Sequence, residues 1–287
     1  MTPRVPNLAS VRTRSAVAAA IACLALNLAC SSNDPDLCPR VPRTGSPLGS
    51  VHSASFPSFL DGRRCWIFET YAGHAPGVPR RLLICFDGEV LFLSEPSWSL
   101  EYTLSRLMRA GKVPPLIVVG ITSSPSEREH EYDPFVQNVS VNGDSVLRAI
   151  QSRLIPRLVE QYGAALDTAD FAMAGASLGG LMAAYAGYNP GSRVSRVIAL
   201  SPTYHWPTPP FERYAEGIGR PHTVRYYQST GTVRDNHIDR MRDVLEAQGL
   251  VSGRDFRSEI WGGANHSSAC WAGQMGTALE FVYGEGN

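Results

Sequence analysis

Ser177 stands in Gly175-Ala176-Ser177-Leu178-Gly179-Gly180, after the apolar run 171–174 and before a run of Ala, Leu, Met and Tyr at helical spacing. Strand, sharp turn and helix with a serine at the apex form a nucleophile elbow, which holds a hydroxyl out over the end of a sheet. The turn forces the serine into a strained backbone conformation and brings strand and helix close together, so its neighbours must be small. The N–H of Leu178, at the start of the helix, then points to where a tetrahedral oxyanion would form. A glycine-rich turn with no chemistry is the plain alternative. The flanking strand and helix, and downstream partners in the order Ser…Asp…His, favour the catalytic reading.

A serine nucleophile needs a base beside it, a carboxylate to orient the base, and two N–H donors for the oxyanion. His266 is the candidate base, in Gly262-Gly263-Ala264-Asn265-His266, between the last expected strand (256–261) and the last expected helix (269–283). The acid is expected in the loop after a strand at 223–228, which reads Gly231-Thr232-Val233-Arg234-Asp235-Asn236-His237-Ile238-Asp239. Asp235 is the first choice because it precedes the helix; Asp239, one turn into it, is the second. A simple helix cap is the competing role for Asp235. The second oxyanion donor is expected at Gly88 or Glu89, because Asp87-Gly88 after the strand 81–86 is a tight turn that exposes backbone N–H groups.

Other elements must position these residues. Strands are expected at 64–71, 116–121 and 194–200, and helices at 100–110, 144–162 and 236–248. The 144–162 helix is expected to be capped by Asp144 and kinked at Pro156. The segments 122–143 and 201–220 read as long loops. Alternating strands and helices give an α/β fold with a mostly parallel central sheet and helices on both faces, the α/β-hydrolase arrangement.

The chain has 287 residues, 44% apolar and 18% charged, with no formal net charge and no basic run. Nothing in that balance suggests a nucleic-acid partner. Residues 1–29 read as a signal peptide: Arg4, Arg12 and Arg14 precede a mostly apolar stretch at 16–29, too short to span a bilayer. The stretch ends Leu26-Asn27-Leu28-Ala29-Cys30-Ser31-Ser32, which is similar to a lipoprotein lipobox with Cys30 as the lipidated residue. Asn27 departs from the aliphatic preference there, so ordinary signal-peptidase cleavage is the alternative. Residues 30–50 read as a tether and 51–287 as one α/β-hydrolase domain. With Cys23 removed and Cys30 lipidated, four cysteines remain for two bridges in three possible pairings, with Cys85 equally suited to be a buried thiol. No C-x-x-C or H-x-x-x-H spacing suggests a metal, and no cofactor is expected.

Over nearly all of residues 60–284 the chain resembles the esterase D family, and within it the enterochelin-esterase-like group. Phe86-Asp87-Gly88-Glu89 matches that family's D-G-E, Arg128-Glu129-His130-Glu131-Tyr132 its R-x-x-E-Y, and the elbow its G-x-S-x-G-G. Ser201-Pro202-Thr203-Tyr204-His205-Trp206 is similar to S-x-S-x-W-W. Gly262 to Trp271 is similar to G-G-H…W, with two residues inserted before the histidine. The resemblance implies a serine esterase in which Arg128 and Tyr132 help build the site. The family's usual acid position falls at Arg234, which leaves Asp235 or a Ser–His dyad. Arg128 and Arg234 are candidates to meet an anionic siderophore ester, and Tyr204, Trp206 and Trp98 to line a substrate pocket. The expected function is an exported carboxylesterase acting on a small-molecule or polysaccharide-linked ester, with a membrane met only through an N-terminal lipid. An acyltransferase similar to the mycolyltransferases and a non-catalytic surface lipoprotein are the alternatives.

Overall fold

Among the described residues, eight strands form one sheet in the order β1-β2-β4-β3-β5-β6-β7-β8. They are β1 (Gly49–Ser55), β2 (Arg64–Thr70), β3 (Arg80–Phe86), β4 (Leu116–Ile121), β5 (Leu166–Ala176), β6 (Val194–Leu200), β7 (Arg225–Thr230) and β8 (Phe256–Ile260). The computed structural model describes residues 38, 41–57, 59–70, 79–92, 97–163, 166–223, 225–232 and 237–284. β1 pairs antiparallel with β2 and β2 with β4; every later pairing is parallel.

β4 and the later halves of β3, β5 and β6 read as apolar runs because both their faces are covered. Along β3, Leu82, Ile84 and Phe86 enter one core while Leu83 and Cys85 enter the other. That alternation follows from the period of two along a strand. The first core is closed by α3 (Gly143–Ala149), α4 (Ile155–Tyr162), α5 (Leu178–Tyr188), α6 (Phe211–Ile218) and α7 (Ile238–Ala247). The second is closed by α1 (Leu100–Arg109) and α8 (Ser268–Tyr283). This is the α/β-hydrolase-like arrangement, a mostly parallel sheet flanked by helices on both faces.

Some local features differ from the sequence expectation. β1 begins at Gly49, and residues 41–48 lie against α1, so the end of the expected tether belongs to the fold. The expected loops at 122–143 and 201–220 contain α2 (Arg128–Glu131) and α6. Asn142, not Asp144, caps α3: its Oδ1 accepts from the Ser145 N–H at 3.0 Å, and Ser145 Oγ accepts from the Asn142 N–H at 2.9 Å. Asp144 instead accepts a 2.7 Å bond from the Tyr185 hydroxyl. Pro156 does disturb its helix. Lacking an N–H, it cannot bond to the preceding turn, and residues Ile150–Leu154 widen into a π-helical turn just before it.

Candidate active site

Ser177 has φ 56° and ψ −124°, a backbone conformation that a side chain with a Cβ adopts only under constraint. Three backbone bonds hold it there. Its N–H donates to the Leu200 carbonyl at 2.9 Å, and its carbonyl accepts from Leu181 at 3.1 Å and from Thr203 at 3.3 Å. The glycines around it are closely packed, and Gly175 is required by contact. A Cβ on Gly175 would lie 2.4 Å from the Gly179 carbonyl, where β5 and α5 close up. One on Gly179 would come within 3.0 Å of Phe86 Cβ and 3.1 Å of Asp87 Oδ2, so this residue seats the turn after β3 against the elbow. Leu178 opens α5, and its N–H is among the first-turn donors that have no carbonyl a turn earlier in the same helix.

The turn after β3 is held from below. Asp87 has φ 56° and ψ 51°, and Gly88–Val90 follows as one 3-10 turn. Gly88 backs onto Gly120 of β4, where a Cβ would stand 2.3 Å from the Gly120 carbonyl. The Arg128 guanidinium forks onto the Asp87 carboxylate through bonds of 2.7 and 2.8 Å, a bidentate match that fixes direction as well as distance. The Asp87 N–H donates to the Tyr132 hydroxyl at 3.2 Å, and the Tyr132 ring meets Phe86 edge-on at 5.2 Å. Burial pushes the Tyr132 phenol well above its ordinary range, so it stays neutral. Only 2% of Tyr132 is exposed, so it supports the turn from beneath and offers almost no surface to a substrate. Glu89 is exposed and ties the turn to the β4 exit by accepting the Ser123 N–H at 3.2 Å and the Ser123 hydroxyl at 2.5 Å. That exit is fixed in turn by Glu131, which takes two bonds from Arg63 and one from the Ser124 N–H.

His266 lies in the loop between β8 and α8, and this loop is laced to the one after β7. The Thr232 N–H donates to the Ala264 carbonyl at 3.1 Å, and the Gly263 N–H donates to Thr232 Oγ1 at 2.7 Å. A Cβ on Gly231 would lie 2.0 Å from the Ala264 carbonyl, so only glycine fits there. The β7 loop is therefore carried directly to the histidine loop. Asp235 and Arg234, like Cys30, lie outside the described residues. Asp239, in the first turn of α7, accepts a 2.9 Å bond from Arg242.

The Trp271 ring stands at 89° to the His266 ring with centroids 4.8 Å apart, and Trp98 lies 6.4 Å beyond Trp271. The Trp98 N–H donates to the Val90 carbonyl at 2.8 Å, so these contacts join the histidine loop to the turn after β3. The packing of Trp98 and Trp271 was not legible as such, although Trp271 follows His266 at the spacing of a helical turn or so. Of the expected pocket aromatics, Trp98 is buried in this contact and Trp206 is 41% exposed. Tyr204 is a correction. It is wholly buried, stacked on Phe211, with its hydroxyl 2.9 Å from that of Tyr226 and donating to Gln228 at 3.1 Å. α6 folds back over the β6 exit and takes Tyr204 into the core. Among the described residues, no group of three or more His, Cys, Asp or Glu is placed to hold a metal ion. Nor is any helix among them long and apolar enough to cross a membrane.

The sequence profile of the Esterase family matches residues 68–275. The chain is 32% identical over 223 residues to the iron(III) enterobactin esterase of Escherichia coli (strain K12), covering 74% of this chain and 52% of that protein. It spans little more than half the length of the two curated relatives it matches. Among solved structures, the enterobactin esterase FES from Shigella flexneri, crystallised in the presence of enterobactin, superposes with a TM-score of 0.62 at 25% identity, covering 85% of this chain and 60% of that one. The BES protein from Bacillus cereus superposes with a TM-score of 0.62 at 17% identity, covering 85% of this chain and 98% of that one. The elbow, the supported turn after β3 and these similarities agree: the chain belongs to the Esterase family of α/β-hydrolases and is related to the enterobactin esterases.

Proposed function

We propose that the protein is an exported serine carboxylesterase that cleaves a siderophore-type ester. The observation that carries the reading is the backbone of Ser177, held at φ 56° by three hydrogen bonds at the point where β5 turns into α5. Such a conformation persists only where the surrounding structure imposes it, and it is what aims a serine hydroxyl away from its own strand.

In this reading Ser177 Oγ attacks the ester carbonyl while its proton passes to His266 Nε2. The carbonyl oxygen becomes an oxyanion and takes hydrogen bonds from the N–H of Leu178 and from that of Gly88 or Glu89. The carbonyl–alkoxy bond breaks, and the departing alcohol takes the proton from His266. Water, giving its proton to His266, attacks the acyl-enzyme. The acid leaves and Ser177 regains its proton. Asp235 orients the imidazole, with Asp239 as the alternative acid. Trp206, which keeps a solvent-facing surface, and the partly exposed guanidinium of Arg128 meet the substrate. Arg128 does so with its charge already shared with Asp87.

The substrate class comes from the enterobactin esterases to which the chain is related. Export is supported by the N-terminal signal reading, with lipidation at Cys30, and by a disulfide between Cys38 and Cys270, a bond that persists in oxidising compartments. The test is a panel of chromogenic esters of graded acyl length run beside an iron-loaded catecholate triester. The expected kcat/KM is highest on the triester, by about tenfold or more over any simple ester. Turnover confined to short acyl esters would remove the siderophore assignment and leave the esterase. No turnover of any ester would remove both.

A further inference from the structure

The histidine loop is also fastened from a side that the triad chemistry does not require. Cys270, in the first turn of α8, lies four residues beyond His266 and is bridged to Cys38 across a separation of 232 residues. Both cysteines are buried and form, with Ala264 and Trp261, a small apolar cluster apart from the two main cores. Asn265, immediately before His266, wraps the bridge. Its N–H donates to Cys270 Sγ at 3.3 Å, and its Oδ1 lies 3.1 Å from the same sulfur.

On the other side of Cys38 the chain is pinned to α1 and its approach. Arg43 donates to Ser99 Oγ at 2.7 Å and to Ser97 Oγ at 2.9 Å, the two residues on either side of Trp98. The Leu48 N–H donates to Ser105 Oγ at 2.8 Å, and Arg109 donates to the Ser46 carbonyl. Residues 41–48 therefore grip the Trp98 side of the site through hydrogen bonds, and Cys38, close before them in sequence, grips the His266 side through a covalent bond. The loop it grips contains Gly262 and Gly263, the latter at φ 78°, so its sequence gives it more conformational freedom than most loops have.

We propose that Cys38 and Cys270 are positioning residues for His266, and that the bridge makes turnover conditional on an oxidised protein. The inference rests on His266 being the base. A base displaced by about 1 Å from its working position can cost about a hundredfold in rate. A bridge that served folding alone would change melting temperature without changing the rate per intact active site.

The full chain is assayed before and after mild reduction and alkylation, with kcat expressed per active site titrated by a fluorophosphonate. Alkylation at Cys38 and Cys270, located by mass spectrometry of their peptides, reports the opened bridge. Cys65 and Cys85 are buried, and burial pushes the Cys65 thiol up to about 12, so neither should react while the fold is intact. Reduction is expected to lower kcat per site by about ten- to a hundredfold, with KM little changed, and reoxidation of unalkylated protein should restore it. Cys38→Ser should show the same loss without reductant and no further loss with it. Reduced, folded protein that keeps its full kcat would overturn the proposal, even if Cys38→Ser proved unable to fold. Absence of turnover in the oxidised protein would overturn the esterase reading as well, so the two failures are distinguishable.

Discussion

Ser177→Ala and His266→Ala should each lower kcat on a chromogenic ester by roughly 10⁶-fold, and the double mutant should be no slower than either single one. The reason is that the two side chains would act as a unit. Without the hydroxyl there is nothing for the imidazole to deprotonate, and without the imidazole the hydroxyl is a poor nucleophile at neutral pH. What remains in all three variants is the oxyanion contribution of Leu178 and the turn after β3, which neither substitution touches. Stopped or long-time assays of the three proteins give the comparison. Losses that multiply in the double mutant would mean that Ser177 and His266 act independently, and the proposed mechanism would be wrong.

Asp235→Asn should lower turnover by up to about 10⁴-fold with little change in melting temperature. A carboxylate there would accept the His266 Nδ1–H and fix the tautomer that leaves Nε2 free to take the serine proton. An amide in its place can hold the wrong tautomer. The N-cap position of α7 falls at His237, so if Asp235 does not orient the imidazole, the same change would cost about 1 kcal/mol or less of stability and leave the chemistry intact. Asp239→Asn should do far less to turnover, because Asp239 is bonded to Arg242 within α7. Kinetics and thermal melts on the two variants separate these readings. Reversed effects would move the role to Asp239, and no effect from either would leave a Ser177–His266 dyad.

The legible parts of this chain were those decided locally. β4 has the bounds its apolar run predicts, because a strand covered on both faces shows its burial in every residue, and the buried end of β6, residues 197–200, is apolar in the same way. The elbow was legible for the same reason: each glycine in it meets a neighbour close in sequence or at an adjacent strand end. β1 was hidden, since Gly49–Ser55 is an edge strand of mixed polarity whose pairing with β2 is its main cause. α6 was hidden behind a Pro-rich stretch that read as loop throughout. The burial of Tyr204 depends on that helix and on Tyr226 and Gln228, contacts that no spacing in the sequence reveals. Asp144 had the right residue type for a cap, but Asn142 reaches the first turn and Tyr185 claims Asp144. The Cys38–Cys270 bridge joins two ends of the chain, and local sequence cannot choose among three pairings.

The proposal that Ser177 forms the covalent intermediate is tested most directly by the position of an inhibitor adduct. The folded protein is treated with a fluorophosphonate, digested, and its peptides sequenced by mass spectrometry. One adduct is expected, on Ser177, with none in Ser177→Ala and much slower labelling in His266→Ala. An adduct on another residue, or labelling that persists in Ser177→Ala, would contradict the account.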